Sequence, residues 1–193
     1  MRIRRRRLST TVRVAMSVAV AGGIMLATAL PASAEGGDRA WAVQDYNGNY
    51  ASRGFIAVAT DYHSPVVSAG ITLPGLLTTG AVMDKATPYL SSSQVGSVVV
   101  QVSSRVTVRA VGLSSWCRVG TSSVYGGAAL GSGSVLQVGG TTIPLPVNPA
   151  AGTVIDFAGG HLVLNDQDGS PSEITVYGMD IFPGNGAEIR LAA

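Results

Sequence analysis

The sequence predicts an all-β fold, organised as one antiparallel β-sandwich or barrel-like domain. Around ten short segments alternate apolar and polar residues with a period of two, which is typical of strands with one buried face. Gly-Gly, Asn-Gly and Pro separate these segments at short intervals, as they do in sandwiches and barrels. Helical periodicity is never sustained, and these three observations together favour strands throughout the domain.

The N-terminus precedes this domain as a predicted secretory signal peptide, residues 1–34. Six arginines lie in the first 13 positions, an apolar run follows, and Ala32 and Ala34 supply the small residues of an A-x-A cleavage site. Two glycines interrupt the apolar run, which argues against a membrane anchor. We predict cleavage after Ala34 and a mature domain of residues 35–193.

The export route stays open between the general secretory and the twin-arginine pathways. Leu8 and Ser9 follow the tandem arginines and fit the twin-arginine signal poorly, which favours general secretion. No span, sorting motif or lipid-anchor tail follows Ile181, so we expect a secreted, extracellular product without a C-terminal anchor or a transmembrane segment.

The strongest strand signal is VVVQVSSRVTVRAV, residues 98–111. Its 14 residues exceed a usual strand, so it predicts either two strands broken near Ser103 and Ser104 or one bent strand. Upstream, residues 53–60 and 65–73 are also predicted strands, and Asn47-Gly48 predicts a turn before them.

Two glycine-bearing hairpins follow, at residues 134–147 and 153–165, and they could be neighbours in one sheet. Pro144 and Pro146 cannot donate to a sheet ladder, which predicts an edge or crossing segment there. Residues 81–90, AVMDKATPYL, are the best candidate for a short helix, which Pro88 would end. Residues 172–182 predict a further strand.

The charge of the mature chain differs from that of the full chain. The full chain has 13 Lys plus Arg and 11 Asp plus Glu. Loss of the six signal-peptide arginines leaves 13 − 6 = 7 basic and 11 acidic residues, a net charge of −4. A nucleic-acid partner needs a basic face, and only Arg105, Arg109 and Arg118 hint at one. We therefore expect no nucleic-acid partner.

Cys117 is the single cysteine of the chain, so no internal disulfide can form. The residue is interpreted as a buried small hydrophobe. An intermolecular disulfide or a reactive thiol is the alternative, and both would require Cys117 to be exposed.

The densest group of acids lies in VLNDQDGSPSEITV, residues 163–176. An EF-hand loop with Gly169 at its sixth position would have Asp166 and Asp168 at positions 3 and 5, but Leu164 and Thr175 at positions 1 and 12. The residues DQDGSP instead favour a connecting loop or turn. Asp166 and Asp168 remain weak metal candidates, and no metal or other cofactor is predicted.

Other catalytic patterns are incomplete. Asp61 and His63 could form half of a zinc site, and no further ligand accompanies them. His161 begins a strand, and no G-x-S-x-G elbow is present. The sequence therefore favours a protein that is not an enzyme.

An ordered set of segments resembles the choice-of-anchor P proteins of actinobacteria. The segments are GLLTTGAVMDKAT, VTVRAVGLSSWC, TTIPLPVNPAAGTVIDF, GGHLVLNDQ and EITVYGMDIF. They cover about residues 75–181. The resemblance implies a secreted or surface β-protein and carries over no catalytic residue. This chain has Asp166 where the family often has Glu, and we expect no anchor after Leu191.

These observations lead to two hypotheses about function. The first is a secreted, non-enzymatic structural or interaction module of the cell envelope or extracellular space, which binds protein or glycan through a sheet face or loops. The second is a secreted hydrolase that acts on glycan through a carboxylate pair. The candidate carboxylates for that pair are Asp156, Asp166, Asp168 and Glu173.

Overall fold

A computed structural model describes residues 39–46, 52–60, 65–170 and 173–193. The predicted signal peptide, its cleavage position after Ala34, the Asn47-Gly48 turn and His63 lie outside the described residues.

Fifteen strands form two antiparallel sheets, and the described residues contain no helix. In chain order the strands are β1 (Arg39–Tyr46), β2 (Ser52–Thr60), β3 (Val66–Ser68), β4 (Thr72–Leu73), β5 (Leu77–Thr79), β6 (Val82–Thr87), β7 (Leu90–Ser103), β8 (Val106–Val119), β9 (Val124–Ala129), β10 (Val135–Val138), β11 (Thr141–Pro144), β12 (Thr153–Phe157), β13 (Gly160–Ser170), β14 (Glu173–Pro183) and β15 (Glu188–Leu191). The all-β prediction is confirmed. Of the two architectures that the sequence allowed, the packed pair of sheets is the β-sandwich.

The smaller sheet has six strands in the order β12-β13-β14-β15-β1-β2. Strand β1 pairs with β15 through Val43 and Leu191, so strands from opposite ends of the described chain lie side by side. Ser170 on β13 pairs with Glu173 on β14, and residues 171–172 between them lie outside the described residues.

The larger sheet has nine strands around the long hairpin of β7 and β8. Ser104 and Arg105 form the turn of this hairpin, so the break predicted near Ser103–Ser104 is confirmed. Strands β5 and β6 share the free edge of β7, and β9 and β10 share the free edge of β8. Four strands thus flank the same two central strands.

An aliphatic core fills the space between the sheets. Its fully buried members come from both sheets, because each strand directs alternate residues inward. The largest are Leu113, Leu130, Leu136, Leu162, Leu164, Met179, Ile181, Ile189 and Leu191. Within the described residues, no helix is long and apolar enough to cross a membrane.

The two predicted glycine hairpins exist, but they lie in different sheets. Gly139 and Gly140 have φ of 57° and 90° between β10 and β11, as a primed turn requires. That hairpin belongs to the nine-stranded sheet, whereas β12–β13 belongs to the six-stranded one. The expectation that they are neighbours is therefore wrong. Strand β11, which ends at Pro144, lies at a sheet edge as its proline predicts.

Residues 82–87 form strand β6 rather than the predicted short helix. Val82, Asp84 and Ala86 are buried, while Met83 and Lys85 are exposed. This alternation pairs residue by residue with β7, and that pairing outweighs the helical preference of Ala, Met and Lys.

Candidate functional site

The outer face of the nine-stranded sheet carries exposed aromatic and cationic side chains. Cross-strand register places Lys85 on β6 in one row with Ser92 on β7 and Trp116 on β8. The next row places Arg118 beside Tyr125 on β9. These residues are exposed, apart from the half-buried Ser92. We call the surface formed by Lys85, Arg109, Trp116, Arg118 and Tyr125 the basic face.

Paired glycines on β7 and β8 bring the two halves of this face onto one side of the sheet. Residues 109 and 116 are seven apart, and strict alternation would place them on opposite faces. Gly112 has φ of 56°, and Val111 and Gly112 are both exposed, while Leu113 returns to the core. Gly96 and Ser97 on β7 are likewise both exposed. The irregularity therefore puts Arg109 on the same side as Trp116.

The indole of Trp116 lies over a glycine and against a tyrosine ring. A Cβ added to Gly127 would lie 3.3 Å from Cζ2 of Trp116, so the missing side chain provides the space for the indole. The ring centroids of Trp116 and Tyr125 are 5.8 Å apart in an edge-to-face arrangement, a favourable geometry for an aromatic pair. Their exposed fractions are 39% and 45%, so a large part of both side chains faces solvent.

All the charged side chains at the surface of this sheet are positive. Between residues 65 and 150 the bases are Lys85, Arg105, Arg109 and Arg118, and the single acid is Asp84. Asp84 is fully buried, so no carboxylate lies on the surface of this segment. None of the four bases forms an ion pair with another described residue.

A shallow hollow extends the same sheet at the opposite end of β8. It has a volume of about 530 Å³ and is lined by Ser104, Arg105, Thr107, Gln137, Gly139 and Gly140. Arg105 thus adds a cation close to the β10–β11 turn.

The C-terminal strands of the six-stranded sheet carry the opposite charge. Residues 151–193 hold six acids and one Lys or Arg, Arg190. Asp180 and Arg190 are cross-strand partners, and the Arg190 Nε lies 3.2 Å from Asp180 Oδ2. The Arg190 Nη2 lies 2.8 Å from Glu188 Oε1, and its guanidinium carbon lies 4.4 Å from the ring centre of Tyr177.

Asp180 and Glu188, which we call the carboxyl pair, both contact the guanidinium of Arg190, and Asp180 Oδ1 has no hydrogen-bond partner among the described residues. Burial raises the pKa of Asp180 well above its usual value, and the nearby charge of Glu188 raises it further. The charge of Arg190 and its hydrogen bond to Asp180 lower this pKa, but by less than burial and Glu188 raise it.

A second buried carboxyl lies inside the sandwich. Asp84 Oδ1 accepts a hydrogen bond of 2.5 Å from Ser93 Oγ, and burial raises the pKa of Asp84 to about 7. Ser115 on β8 follows Ser93 in the same cross-strand row. Asp84 Oδ2 and Ser115 Oγ have no hydrogen-bond partner among the described residues.

The acids proposed from the sequence lie on strands rather than in a loop. Asp166 and Asp168 belong to β13 and pair with Tyr177 and Thr175 on β14, so interpreting residues 166–170 as a connecting loop is wrong. The ladder between β13 and β14 continues to Ser170, which pairs with Glu173. Asp166 and Asp168 are two positions apart on one strand, so both side chains point to the same face.

The other two carboxylates that the sequence suggested for a catalytic pair, Asp156 and Glu173, lie on different strands. Asp156 is exposed on the edge strand β12, where it pairs with His161, and Glu173 is exposed at the start of β14. Across the described residues, no three His, Cys, Asp or Glu side chains come together as a metal site. Cys117 on β8 is partly buried. It is therefore neither the fully buried hydrophobe nor the fully exposed thiol that the two interpretations of the sequence require.

Sequence reasoning treated Arg105, Arg109 and Arg118 as only a hint of a basic face and did not predict that face, and it missed the carboxyl pair. The segregation of four bases and one acid into residues 65–150 was visible in the chain, and it could have indicated a charged face. The carboxyl pair had no comparable signal, since Asp180 and Glu188 lie in different strands and meet only in the folded sheet.

Comparisons with protein-family models, with curated proteins and with solved structures found no match to this chain. The resemblance to choice-of-anchor P proteins stays a prediction.

Proposed function

We propose that this chain is a secreted, non-enzymatic binding module of the cell envelope or extracellular space, and that its basic face holds the partner. The observation that carries the proposal is the exposed Trp116–Tyr125 pair on an open sheet face. Exposed aromatic rings cost free energy in water and contribute strongly to interfaces when covered. The predicted signal peptide and the resemblance to choice-of-anchor P proteins support the extracellular location.

The rigidity of this surface also supports a binding role. Trp116 and Arg118 lie on a central strand that pairs with neighbours on both sides, so their backbone is fixed before any partner arrives. A surface that is already ordered loses little conformational entropy on binding.

The alternative of a glycan hydrolase now concerns the carboxyl pair. Asp180 has the raised pKa of a general acid, which favours this alternative. The geometry opposes it. Glycosidase carboxyls lie about 5–9.5 Å apart with the sugar between them, whereas these two are both bound to the guanidinium of Arg190. Asp180 is also fully buried, which leaves its carboxyl out of reach of a sugar ring.

A binding experiment with isolated envelope fractions tests the proposal. Polysaccharide and protein fractions of an actinobacterial envelope are immobilised separately, and binding of the purified protein is measured by interferometry. We expect binding to one fraction that Trp116→Ala abolishes. Val154→Ala, an exposed apolar residue on the other sheet, is the matched control and should bind like the parent protein.

Equal binding by the parent protein and Trp116→Ala would contradict the use of the basic face. Release of reducing ends from the polysaccharide, lost in Glu188→Gln, would instead support the hydrolase.

A further inference from the structure

We propose that the partner of the basic face is an anionic polysaccharide, which lies along strand β8 with a sugar ring on Trp116 and acidic groups at the cations. This inference rests on the proposed binding function and adds the chemical class of the ligand.

Charge complementarity is the first support. Lys85, Arg109 and Arg118 are exposed on one face, and they have no ion-pair partner among the described residues. The mature chain has a net charge of −4, yet residues 65–150, which form the nine-stranded sheet, hold four bases and one acid, a local net charge of 4 − 1 = +3. Such a patch attracts anionic groups and repels cationic ones.

The spacing of the cations indicates a polymer rather than a small anion. Lys85 lies two strands from Trp116, about 10 Å away, since neighbouring strands are about 4.8 Å apart. Arg109 and Arg118 are nine residues apart on β8, about 30 Å at about 3.3 Å per residue. A carboxylate or phosphate that binds Arg118 cannot reach Arg109.

The surface between the cations suits a carbohydrate. Trp116 offers an exposed indole, on which the apolar face of a sugar ring can pack. Ser92, Gln94 and Ser114 lie on the same outer face beside it and can hydrogen-bond to sugar hydroxyls. Exposed positions recur along β8 from Arg109 to Arg118, as the binding of a long chain requires.

Charge density argues against nucleic acid. Duplex DNA carries one charge per about 1.7 Å, so a 30 Å stretch presents about 18 phosphates. Three cations on the basic face and Arg105 near the hollow neutralise few of these charges. A polysaccharide with at most one acid per sugar matches such a sparse row more closely.

The test measures binding of the purified full-length mature protein to polygalacturonate, which carries one carboxylate per sugar, by calorimetry. Fully methyl-esterified polygalacturonate has the same backbone without charge and serves as the matched ligand. Polyglutamate and single-stranded oligothymidylate represent acidic protein and nucleic acid. The protein variants are Trp116→Ala, Arg118→Gln, and Arg39→Gln as a cation of equal charge on the other sheet.

We expect polygalacturonate to bind at least tenfold more tightly than its ester and to weaken as salt rises. Trp116→Ala and Arg118→Gln should each lower the affinity at least fivefold, while Arg39→Gln should change it less than twofold. Circular dichroism should show unchanged folding of both face variants.

Equal binding of the ester and the acid, sensitive to Trp116→Ala, would overturn the anionic ligand and leave the binding function intact. Tighter binding of polyglutamate or oligothymidylate would overturn the carbohydrate. Failure of all four polymers to bind would also overturn this inference. The binding function itself would fail only if neither immobilised envelope fraction showed binding that depends on Trp116.

Discussion

Replacement of Asp84 by Asn should make the protein more stable at neutral and alkaline pH. The carboxyl is fully buried, and its pKa is raised from 3.8 to about 7, chiefly by burial. Between these two pH values the folded protein keeps the proton and the unfolded chain does not. Unfolding then releases a proton, so stability is highest below pH 3.8 and falls as the pH rises towards 7.

The size of the effect follows from the pKa difference. A shift of about three units corresponds to about 4 kcal/mol, at about 1.4 kcal/mol per unit. As the pH rises from about 4 to about 8, the free energy of unfolding of the parent protein falls by this amount. The introduced asparagine cannot ionise, and its amide oxygen can still accept the hydrogen bond from Ser93. The substitution can also change the free energy of unfolding by an amount that does not depend on pH. That amount is the same at both pH values, so it cancels in their difference.

Urea denaturation at pH 4, 6 and 8 measures the difference. The free energy of unfolding of Asp84→Asn minus that of the parent should rise by about 4 kcal/mol from pH 4 to pH 8. Asp156→Asn replaces an exposed aspartate on β12 and should run parallel to the parent protein. Parallel curves for Asp84→Asn and the parent would show that Asp84 is charged in the folded state at neutral pH, and would refute the reasoning.

Three further predictions concern other parts of the fold. Asp180→Asn should also reduce the loss of stability at alkaline pH, because the pKa of Asp180 is raised; urea denaturation at pH 6 and pH 9 measures this. Gly112→Ala should cost about 1–2 kcal/mol in chemical denaturation because its φ is 56°, whereas Gly96→Ala, without positive φ, should cost less. Leu113→Ala should lower the free energy of unfolding by about 2–5 kcal/mol, since its fully buried side chain packs against β14.

Local chemistry explains which parts of the fold could be predicted from the sequence. The Gly139-Gly140 turn and the break at Ser103–Ser104 depend on neighbouring residues, and both predictions are confirmed. The sheet to which each hairpin belongs depends on contacts between distant strands. No residue within β10–β11 or β12–β13 encodes that choice by itself, and the prediction that they share a sheet failed.

Buried polar residues explain the other errors. Asp84 interrupts the apolar alternation of β6, and an inward aspartate is uncommon enough to hide the strand. Residues 166–170 contain Asp, Gly and Ser, which favour turns, yet pairing with β14 holds them in a strand. Gly112 is the one local sign that could have placed Arg109 and Trp116 on a common face, since a lone glycine in a strand often marks a bulge.

The pairing of β1 with β15 has a consequence for the time at which the protein can fold. Val43 and its partner Leu191 are separated by 148 positions, whereas the β7–β8 hairpin joins residues close in sequence. At a synthesis rate of about 5–20 residues per second, Leu191 on β15 is made about 7–30 s after Val43 on β1. The central hairpin can form within microseconds of emerging. Until β15 is available, one edge of β1 has no strand beside it, and such an edge can pair with another chain.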